Sequence, residues 1–288
     1  MPELPEVESL AVELRRRLPG SVISGLEQSR IFAAGKSGPL PTDQLIGKTF
    51  GPVSRKGKAL ALELRNGQRE EAEAFLLWRL GMSGQLTLTS PDTPVAPHTH
   101  VRLFLDEGRR ELRFRDARRF GSVRRLTAEE LNAELARMGP DALEVGEREF
   151  VGSLRGRRGA IKSSLMNQRI IAGVGNIYAD ESLFLARIHP QTAAGRIRRA
   201  KAAALYRAMQ EVLKKAVGRG GTSFRDYVNS EGRPGGYQSR LKVYGRAGRA
   251  CPRCRQAVGK IIVGGRGTHF CPRCQRKPKT IRQRKLHE

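Results

Sequence analysis

Residues 251–274 read CPRCRQAVGKIIVGGRGTHFCPRC and contain all four cysteines of the chain. The two Cys-Pro-Arg-Cys pairs are sixteen residues apart, and the glycines between 264 and 267 predict a turn between them. Two CxxC pairs at this spacing are typical of a zinc ribbon, in which four thiolates hold one tetrahedral zinc ion. The predicted ligands are Cys251, Cys254, Cys271 and Cys274. Because all four ligands are protein side chains, the predicted zinc is structural. Two unrelated redox CxxC pairs are the alternative.

Upstream of this finger, apolar residues change their period along the chain. Residues 7–18 repeat at helical spacing before Gly20, which predicts an N-terminal amphipathic helix. From there to about residue 126 the period is two, as in Leu60, Leu62 and Leu64 before the Asn66-Gly67 turn signal, which predicts a sandwich or barrel of short strands. A capping box at Thr127 opens a helix, and the stretch from about residue 192 to 217 is predicted to be helical.

Patterns along the chain predict its domain organisation, and its net charge indicates the class of partner. The predicted divisions are an N-terminal domain 1–137, a linker 138–150, a helical domain 151–245, a zinc finger 246–275 and a basic tail 276–288. Lys and Arg number 54 against 28 Asp and Glu, a formal charge of +26. Such a charge favours nucleic acid as the partner, with an anionic membrane surface as the rival. No apolar run approaches the roughly 20 residues of a membrane span, and no signal-peptide pattern opens the chain.

The opening Met-Pro-Glu-Leu-Pro-Glu carries the first candidate for chemistry. Removal of Met1 would expose the secondary amine of Pro2, a competent nucleophile because α-amino groups titrate at about 7.7–8.0. Such an amine can form an iminium with an aldehyde carbon, as Schiff-base lysines do. Glu3 beside it is a candidate general acid. The alternative is that proline and glutamate here only start a helix.

Ordered motifs along nearly the whole chain decide between these two interpretations. The sequence has MPELPEVE at its start, RKGK at 55–58, LGMSG at 80–84, PHTH at 97–100 and RDARRFG at 115–121. It continues with GVGNIYADESLF at 173–184, LKVYGR at 241–246 and GRGTHFCPRC at 265–274. In these motifs, from Pro2 to Cys274, the chain resembles formamidopyrimidine-DNA glycosylase, within the wider family that also includes endonuclease VIII.

The resemblance implies an α+β fold. Its N-terminal domain is a two-sheet β-sandwich flanked by helices, followed by a helical domain with a helix–two-turns–helix motif and a zinc-finger β-hairpin. DNA would lie between the two domains. In the mechanism it implies, Pro2 attacks C1′ of the damaged nucleotide, Glu3 acts on the sugar ring oxygen, and β,δ-elimination cuts the strand on both sides. Lys58 matches a second amine that contacts the lesion and nearby phosphate.

The resemblance also implies how DNA is held. A base buried in a duplex must be flipped out for such chemistry, and Met82, Arg118 and Phe120 match three residues that fill the gap. Asn176 and Lys162 match phosphate contacts, and His98 of the PHTH block is a further candidate DNA contact. Arg266, at the tip of the zinc hairpin, matches an arginine that grips the phosphates around the flipped nucleotide and is counted with the catalytic set. Each of these residues taken singly has a structural alternative, as a core residue, a turn residue or a solvated charge.

Three features depart from the family pattern. Arg79 stands where many members have histidine, which puts the phosphate geometry there in doubt. Ala117 replaces a common proline, which would loosen the turn before Arg118. The basic tail extends beyond the usual end and would add either non-specific DNA affinity or nothing.

The opening MPELPEVE and the loop from Thr222 to Gln238 resemble the purine-lesion branch, so oxidised and ring-opened purines, 8-oxoguanine opposite cytosine among them, are the expected substrates. Backbone amides around Arg225 to Tyr227 would face the lesion's O6. The expected partner is double-stranded DNA with damaged bases or abasic sites, bound by a monomer in the bacterial cytoplasm. Two alternatives remain: an endonuclease VIII-like glycosylase for oxidised pyrimidines, and a zinc-finger DNA-binding protein without catalysis.

Overall fold

The computed structural model describes residues 2–67, 69–224 and 227–277, which fall into two compact units. Unit 1 comprises Met1–Glu144, Gln168–Val174 and Leu213–Arg240, and unit 2 comprises Val145–Asn167, Gly175–Val212 and Leu241–Glu288. Each unit is therefore assembled from separate stretches of chain. The predicted linker 138–150 is divided between them, and the boundaries of the five predicted segments stay predictions.

Two four-stranded antiparallel sheets form the body of unit 1. One sheet has the strand order β1-β6-β7-β5 and the other β2-β3-β4-β8. The strands of the first sheet are β1 (Ile23–Gln28), β5 (Gln85–Thr89), β6 (Thr99–Leu105) and β7 (Arg110–Arg115). Those of the second are β2 (Lys48–Lys56), β3 (Ala59–Asn66), β4 (Ala74–Arg79) and β8 (Ser122–Leu126).

The core of unit 1 explains why the period of two is so clear in its sequence. Leu60, Leu62 and Leu64 of β3 all point into one apolar cluster that also contains inward-facing residues of the other sheet. The rings of Trp78 and Phe114, one from each sheet, lie 5.3 Å apart across this core. Since successive residues of a strand face opposite sides, the intervening alanines of β3 face away, and there they pack under a helix.

Three helices pack on this sandwich. Helix α1 (Leu4–Arg17) buries its apolar stripe in the main core, and Pro5 lies in its first turn, where a missing amide hydrogen costs nothing. A single helical turn, α2 (Arg30–Ala33), follows β1. Helix α3 (Ala128–Ala136) begins at the predicted capping box, in which Thr127 and Glu130 exchange side-chain and backbone hydrogen bonds. Leu131 of α3 packs on Ala59 and Ala61, which accounts for the burial of β3 on both faces.

Unit 2 is mainly helical and ends in the zinc-finger hairpin. Its elements are α4 (Glu147–Ser153), α5 (Ile161–Met166), α6 (Asn176–Leu185), most of α7 (Arg199–Val217), and the strands β9 (Gly259–Val263) and β10 (Arg266–Phe270). Helix α7 begins seven residues later than the pattern predicted. The amide of Ile161 donates to the carbonyl of Thr192 and that of Ala194 to Gly159, so these residues pair with the segment before α5 instead of forming a helix.

The α+β fold class is confirmed: a two-sheet sandwich with helices, a helical part and a terminal zinc-finger hairpin. Among the described residues, no helix is both long and apolar enough to cross a membrane. Two predicted features lie outside the described ranges, namely most of the basic tail (278–288) and the amides of Arg225 and Asp226.

Candidate functional site

Pro2 and Glu3 are fixed at the start of α1. Both residues are buried, and the Glu3 amide donates to a carboxylate oxygen of Glu6 at 2.7 Å, as part of a capping box. A capping box satisfies amides at the helix start that have no partner within the helix. The N-terminal residues are therefore held in one place by the helix that follows them.

Glu6 also ties the N-terminus to the loop after α7. Its second carboxylate oxygen accepts the amide of Thr222 at 2.6 Å, and its carbonyl accepts the hydroxyl of Tyr227 at 3.0 Å. Burial, with the nearby charges of Glu6 and Glu13, raises the pKa of Tyr227 far above its ordinary value, so the phenol keeps its proton and remains a donor. A Cβ at Gly221 would lie 2.7 Å from the Glu6 carboxylate, which explains the glycine there.

Lys58 follows a turn that is organised by a buried carboxylate. The amide of Gly57 donates to Asp141 at 2.6 Å, and the guanidinium of Arg55 binds both oxygens of the same carboxylate. Arg55 also binds Glu8 of α1. Burial alone would lower the pKa of Arg55, but hydrogen bonds and charges from Asp141 and Glu8 outweigh it and raise the pKa. Lys58 itself is half-buried.

Gly173 lies between this turn and the N-terminus. Its carbonyl accepts the amide of Leu4 at 3.1 Å, and its φ of +109° is in the region that favours glycine. A Cβ built at Gly173 would be 2.3 Å from a methyl of Leu4, and one built at Gly57 would be 3.1 Å from the Gly173 amide nitrogen. Leu4, which follows Pro2 and Glu3, and Gly57, which precedes Lys58, thus both pack against the same glycine of the GVGN motif.

The three candidate gap-filling residues come from two stacked loops of unit 1. The guanidinium carbon of Arg118 lies 4.7 Å from the centre of the Phe120 ring, and Phe120 is 47 % exposed. Met82 is half-buried on the neighbouring loop. Gly81 packs so tightly on Phe120 and the next residue that a Cβ there would clash with their backbone. The structure therefore brings together the two loops that carry these residues, with an exposed aromatic and an exposed cation on one of them.

Asp116, which sequence reasoning missed, holds this pair of loops. It is fully buried and accepts the hydroxyl of Ser83 at 2.5 Å and the amide of Gly121 at 2.7 Å. Its own amide donates to the carbonyl of His98, which is exposed and has a left-handed φ of +67°. His100, by contrast, is buried and stacks on Phe32. Of the two histidines in PHTH, only His98 presents its ring at the surface.

The structure shows the contacts around two of the three departures from the family pattern, Arg79 and Ala117. Arg79 forms an ion pair with Glu134 of α3 at 3.2 Å and is 41 % exposed, so part of its charge is already compensated. Ala117 is exposed in the loop that Asp116 organises. The amide of Arg118 donates to Ser83 and Asp116, and these bonds restrain the loop without a proline at position 117.

In unit 2 the candidate phosphate contacts gather at the hairpin tip. Arg266 is exposed beside the two-residue turn Gly264-Gly265, and both glycines have positive φ. The side-chain amide of Asn176, the first residue of α6, donates to the carbonyl of Gly267 at 3.1 Å. The helix start and the hairpin tip are thus directly joined.

Lys162 lies beneath this tip and is fully buried. Its ammonium is 2.7 Å from Asp180, and it donates to the Gly267 carbonyl and the Thr268 hydroxyl. A buried charge needs such partners, because removing it from water is costly. The geometry favours a role in positioning the hairpin, whereas direct contact of Lys162 with phosphate stays a prediction.

The four cysteines form a compact sulfur cluster. Their sulfur atoms all lie within 4.8 Å of one another, and a tetrahedral Zn²⁺ with bonds of about 2.3 Å needs sulfur separations of about 3.8 Å. The amides of Arg253 and Cys274 point at the sulfurs of Cys251 and Cys271, both at 3.4 Å, as expected where thiolates accept hydrogen bonds. The residues therefore fit one structural zinc ion.

Glu181, also missed from the sequence, joins α6 to the segment before the finger. This buried carboxylate accepts three consecutive backbone amides, 242–244, at 2.8–2.9 Å. Like Asp116, it lies inside one of the motif blocks, whereas Asp141 lies outside all of them. Their place inside these blocks could have marked Asp116 and Glu181 as candidates for a structural role, but it does not reveal which amides they bind.

We expect Gly173→Ala to disturb the N-terminus specifically. The left-handed φ alone costs about 1–2 kcal/mol, and overlap with Leu4 adds about 1–3 kcal/mol. Gly20→Ala is the matched control, since Gly20 has a φ of +86° but no atom within 4 Å of the added Cβ. Chemical denaturation and hydrogen exchange of the Leu4 amide measure both effects. Equal destabilisation by the two variants would contradict this packing.

We expect one zinc ion per chain, bound by sulfur alone. Elemental analysis would give one equivalent, and X-ray absorption would give a sulfur shell at about 2.3 Å. Cys271→Ser should lose zinc, whereas His269→Ala, which removes a nearby imidazole, should retain it. Full zinc retention by Cys271→Ser, or a nitrogen ligand in the spectrum, would refute the site.

Comparison with known proteins gives a consistent result along the whole chain. Residues 1–123 match the formamidopyrimidine-DNA glycosylase N-terminal domain, residues 138–228 its H2TH domain, and residues 248–276 the zinc finger found in FPG and IleRS. A formamidopyrimidine-DNA glycosylase of Thioalkalivibrio sulfidiphilus is 41 % identical over 272 residues, which is 92 % of this chain and 96 % of that protein.

Solved structures agree. A variant of the Lactococcus lactis FPG with a Fapy-dG containing DNA has a TM-score of 0.86 and 34 % identity, covering 96 % of this chain and 100 % of that one. The wild-type Lactococcus lactis protein with an oxidised pyrimidine containing DNA has a TM-score of 0.84 at 34 % identity, with the same coverage. The chain therefore belongs to the formamidopyrimidine-DNA glycosylase family, whose members are DNA glycosylases of base excision repair.

Proposed function

We propose that this chain excises oxidised purines from double-stranded DNA and then cuts the strand, using the amine of Pro2 for both steps. The observation that supports this proposal is that Leu4, beside Glu3, and Gly57, beside Lys58, both pack against Gly173 within one unit, which brings the segments of Pro2, Glu3 and Lys58 together. A purely structural helix start would not require an amine, a carboxylate and a second amine at one glycine of a neighbouring motif.

The chemistry begins with attack of the Pro2 nitrogen on C1′ of the damaged nucleotide. The N-glycosidic bond breaks, and its electron pair leaves with the base. Glu3 gives a proton to the sugar ring oxygen, so the ring opens and a C1′ iminium forms on Pro2. The iminium acidifies the C2′ protons. Loss of one of them expels the 3′ phosphate, a second elimination expels the 5′ phosphate, and water releases the sugar fragment from Pro2.

The capping box supports this role for Pro2. An effective intramolecular nucleophile must be held in place, since orientation supplies much of the rate gain. The hydrogen bond from the Glu3 amide to Glu6 and that from Leu4 to Gly173 restrain the two residues after Pro2. Lys58, which follows the Gly57 that packs against Gly173, would meet the lesion and the adjacent phosphate.

The exposed residues of each unit supply the DNA contacts. Met82, Arg118 and Phe120 would fill the space left by the flipped nucleotide, with the guanidinium hydrogen-bonding the orphaned base. His98, Asn176 and Arg266 would contact the sugar-phosphate backbone, and such contacts position the protein without reading sequence. Lys162 would act through the hairpin that it holds.

Oxidised purines are the substrates that the sequence favours, and the loop after α7 supports this proposal. Thr222 and Tyr227 are anchored to Glu6, directly beside Glu3, so the loop and the nucleophile share one support. An oxidised-pyrimidine preference is the alternative, and the Lactococcus lactis complex with an oxidised pyrimidine makes the comparison necessary. The proposed enzyme acts as a monomer in the bacterial cytoplasm, associated with the nucleoid through DNA.

We expect borohydride to trap the chain on a duplex with an abasic site, through Pro2. Reduction of the iminium gives a stable bond, and peptide mass spectrometry would locate it at the N-terminus. Intact mass should first establish that Met1 is absent. A control protein with two extra residues before Pro2 keeps the imino acid as an amide, which is not nucleophilic. An adduct on Lys58, or no adduct with correctly processed protein, would support a different nucleophile or the non-catalytic DNA-binding alternative.

We expect faster excision of 8-oxoguanine opposite cytosine than of thymine glycol in matched duplexes. Single-turnover rates compare the two substrates without product release. Preference for thymine glycol would assign the chain to the oxidised-pyrimidine alternative.

A further inference from the structure

A basic cavity of about 480 Å³ lies beside the zinc-binding knuckles in unit 2. It is lined by the sulfur-bearing Cys254 and Cys274 and by five cationic side chains, with no carboxylate among the lining residues. The cationic residues are Arg187, Lys201, Arg253, Arg273 and Arg276. We call this the knuckle cavity. The proposed mechanism makes no use of it.

The knuckle cavity is separate from the phosphate contacts at the hairpin tip. Helix α6 and strand β10 run side by side, joined by Asn176 to Gly267 at one end and by Asp180 to His269 in the middle. At the other end, Phe184 packs against the cysteine cluster. Nine helical steps of about 1.5 Å place this end about 14 Å from Asn176, and four strand steps from Gly267 give a similar length.

Two of the five cationic side chains form hydrogen bonds within unit 2 that explain their presence. Lys201 donates to the carbonyl of Ala186 at 3.0 Å, and Arg253 donates to that of Phe184 at 3.2 Å while lying over its ring at 4.6 Å. Cations at a helix C-terminus satisfy its unpaired carbonyls. A zinc ion with four thiolates would carry two negative charges, so compensation of the metal site accounts for two of five positive charges and leaves an excess.

Arg187 supplies an independent observation. It follows the last turn of α6 with a φ of +56°, its amide bonds to Phe184, and the next amide bonds to Leu183. This is a Schellman motif, whose left-handed position is usually glycine. A side chain there costs about 1–2 kcal/mol. Glycine would be less strained at this position, so the backbone geometry does not explain the arginine, whose exposed side chain lines the cavity.

We propose that the knuckle cavity is a second site for DNA phosphodiester groups, which adds affinity independently of any lesion. Arg187, Arg273 and Arg276 are exposed, and within the described ranges no hydrogen bond or ion pair engages their guanidinium groups. Planar guanidinium groups bind phosphate oxygens in pairs, which favours phosphate over chloride as the ligand. The site extends DNA binding by this family to a face of the finger remote from Arg266.

The test measures affinity for undamaged duplex as a function of salt, by fluorescence anisotropy. Each phosphate contact contributes about 0.9 to the slope of log affinity against log salt. Arg187→Gly should lower this slope by about 0.9, and its combination with Arg273→Ala by about 1.8, which is about a twelvefold change over a fourfold salt range. Arg187→Lys keeps the charge and should keep most of the slope.

Arg255→Gly is the matched control. Arg255 is also an exposed arginine with a left-handed backbone, φ +67°, in the same finger, but it does not line the cavity. Both glycine variants relieve backbone strain, so neither should lower the unfolding free energy. An unchanged slope in Arg187→Gly, an equal drop in Arg255→Gly, or zinc loss without a slope change would overturn the proposal. The last result would assign the arginines to the metal site.

Two further measurements distinguish phosphates of the same duplex from phosphates of a second duplex. If the cavity binds the same duplex further along, the effect should appear with a duplex of about three turns and vanish with one of about one turn (~10 base pairs). If it binds a second duplex, protein saturated with short lesion duplex should bind another labelled duplex. Since the probe is undamaged DNA and no bond is broken, this result is independent of the proposed chemistry at Pro2.

Discussion

The buried pair of Asp141 and Arg55 is the constraint on which the candidate site in unit 1 depends. Both side chains are almost fully buried, at 2 % and 3 % exposure. Removing one partner of such a pair typically costs about 3–5 kcal/mol, because the other charge remains buried without compensation. The same carboxylate binds the amide of Gly57, and its backbone bridges to Ala172 next to Gly173. The position of Lys58 relative to the N-terminus therefore depends on one acid that lies far from both in sequence.

The same arrangement recurs at several motifs of the chain. A buried carboxylate accepts backbone amides from a loop and fixes that loop without needing a hydrophobic core there. Glu6 accepts the amides of residues 3 and 222, and Asp141 accepts those of residues 57 and 143. Asp116 accepts the amides of residues 118 and 121, and Glu181 accepts those of residues 242–244. Because these carboxylates are buried and bind backbone amides, they do not neutralise the lysines and arginines at the surface. This leaves an excess of exposed lysine and arginine, which is the electrostatic condition for binding a polyanion.

Unit 2 applies the principle to its hairpin. Asp180 of α6 binds the amide of His269 on β10 and pairs with Lys162, while the cysteine cluster closes the far end of the same two elements. Contacts at both ends therefore hold helix α6 and the hairpin together. One end carries Asn176 and Arg266, and the other carries the knuckle cavity. A zinc ion held by the four cysteines would thus support charge at two separated places.

The sequence alone predicted short strands in a sandwich or barrel, the first helix, the capping box at Thr127 and the zinc ligands, because each depends on local periodicity or spacing. The candidate site residues came from motif order, and their roles remain predictions. Only the tertiary structure decided that the ammonium of Lys162 is buried, that His98 and not His100 is exposed, and that α7 starts at Arg199. Those outcomes depend on partners distant along the chain, such as Asp180 for Lys162. Local patterns cannot specify a partner that only folding brings near.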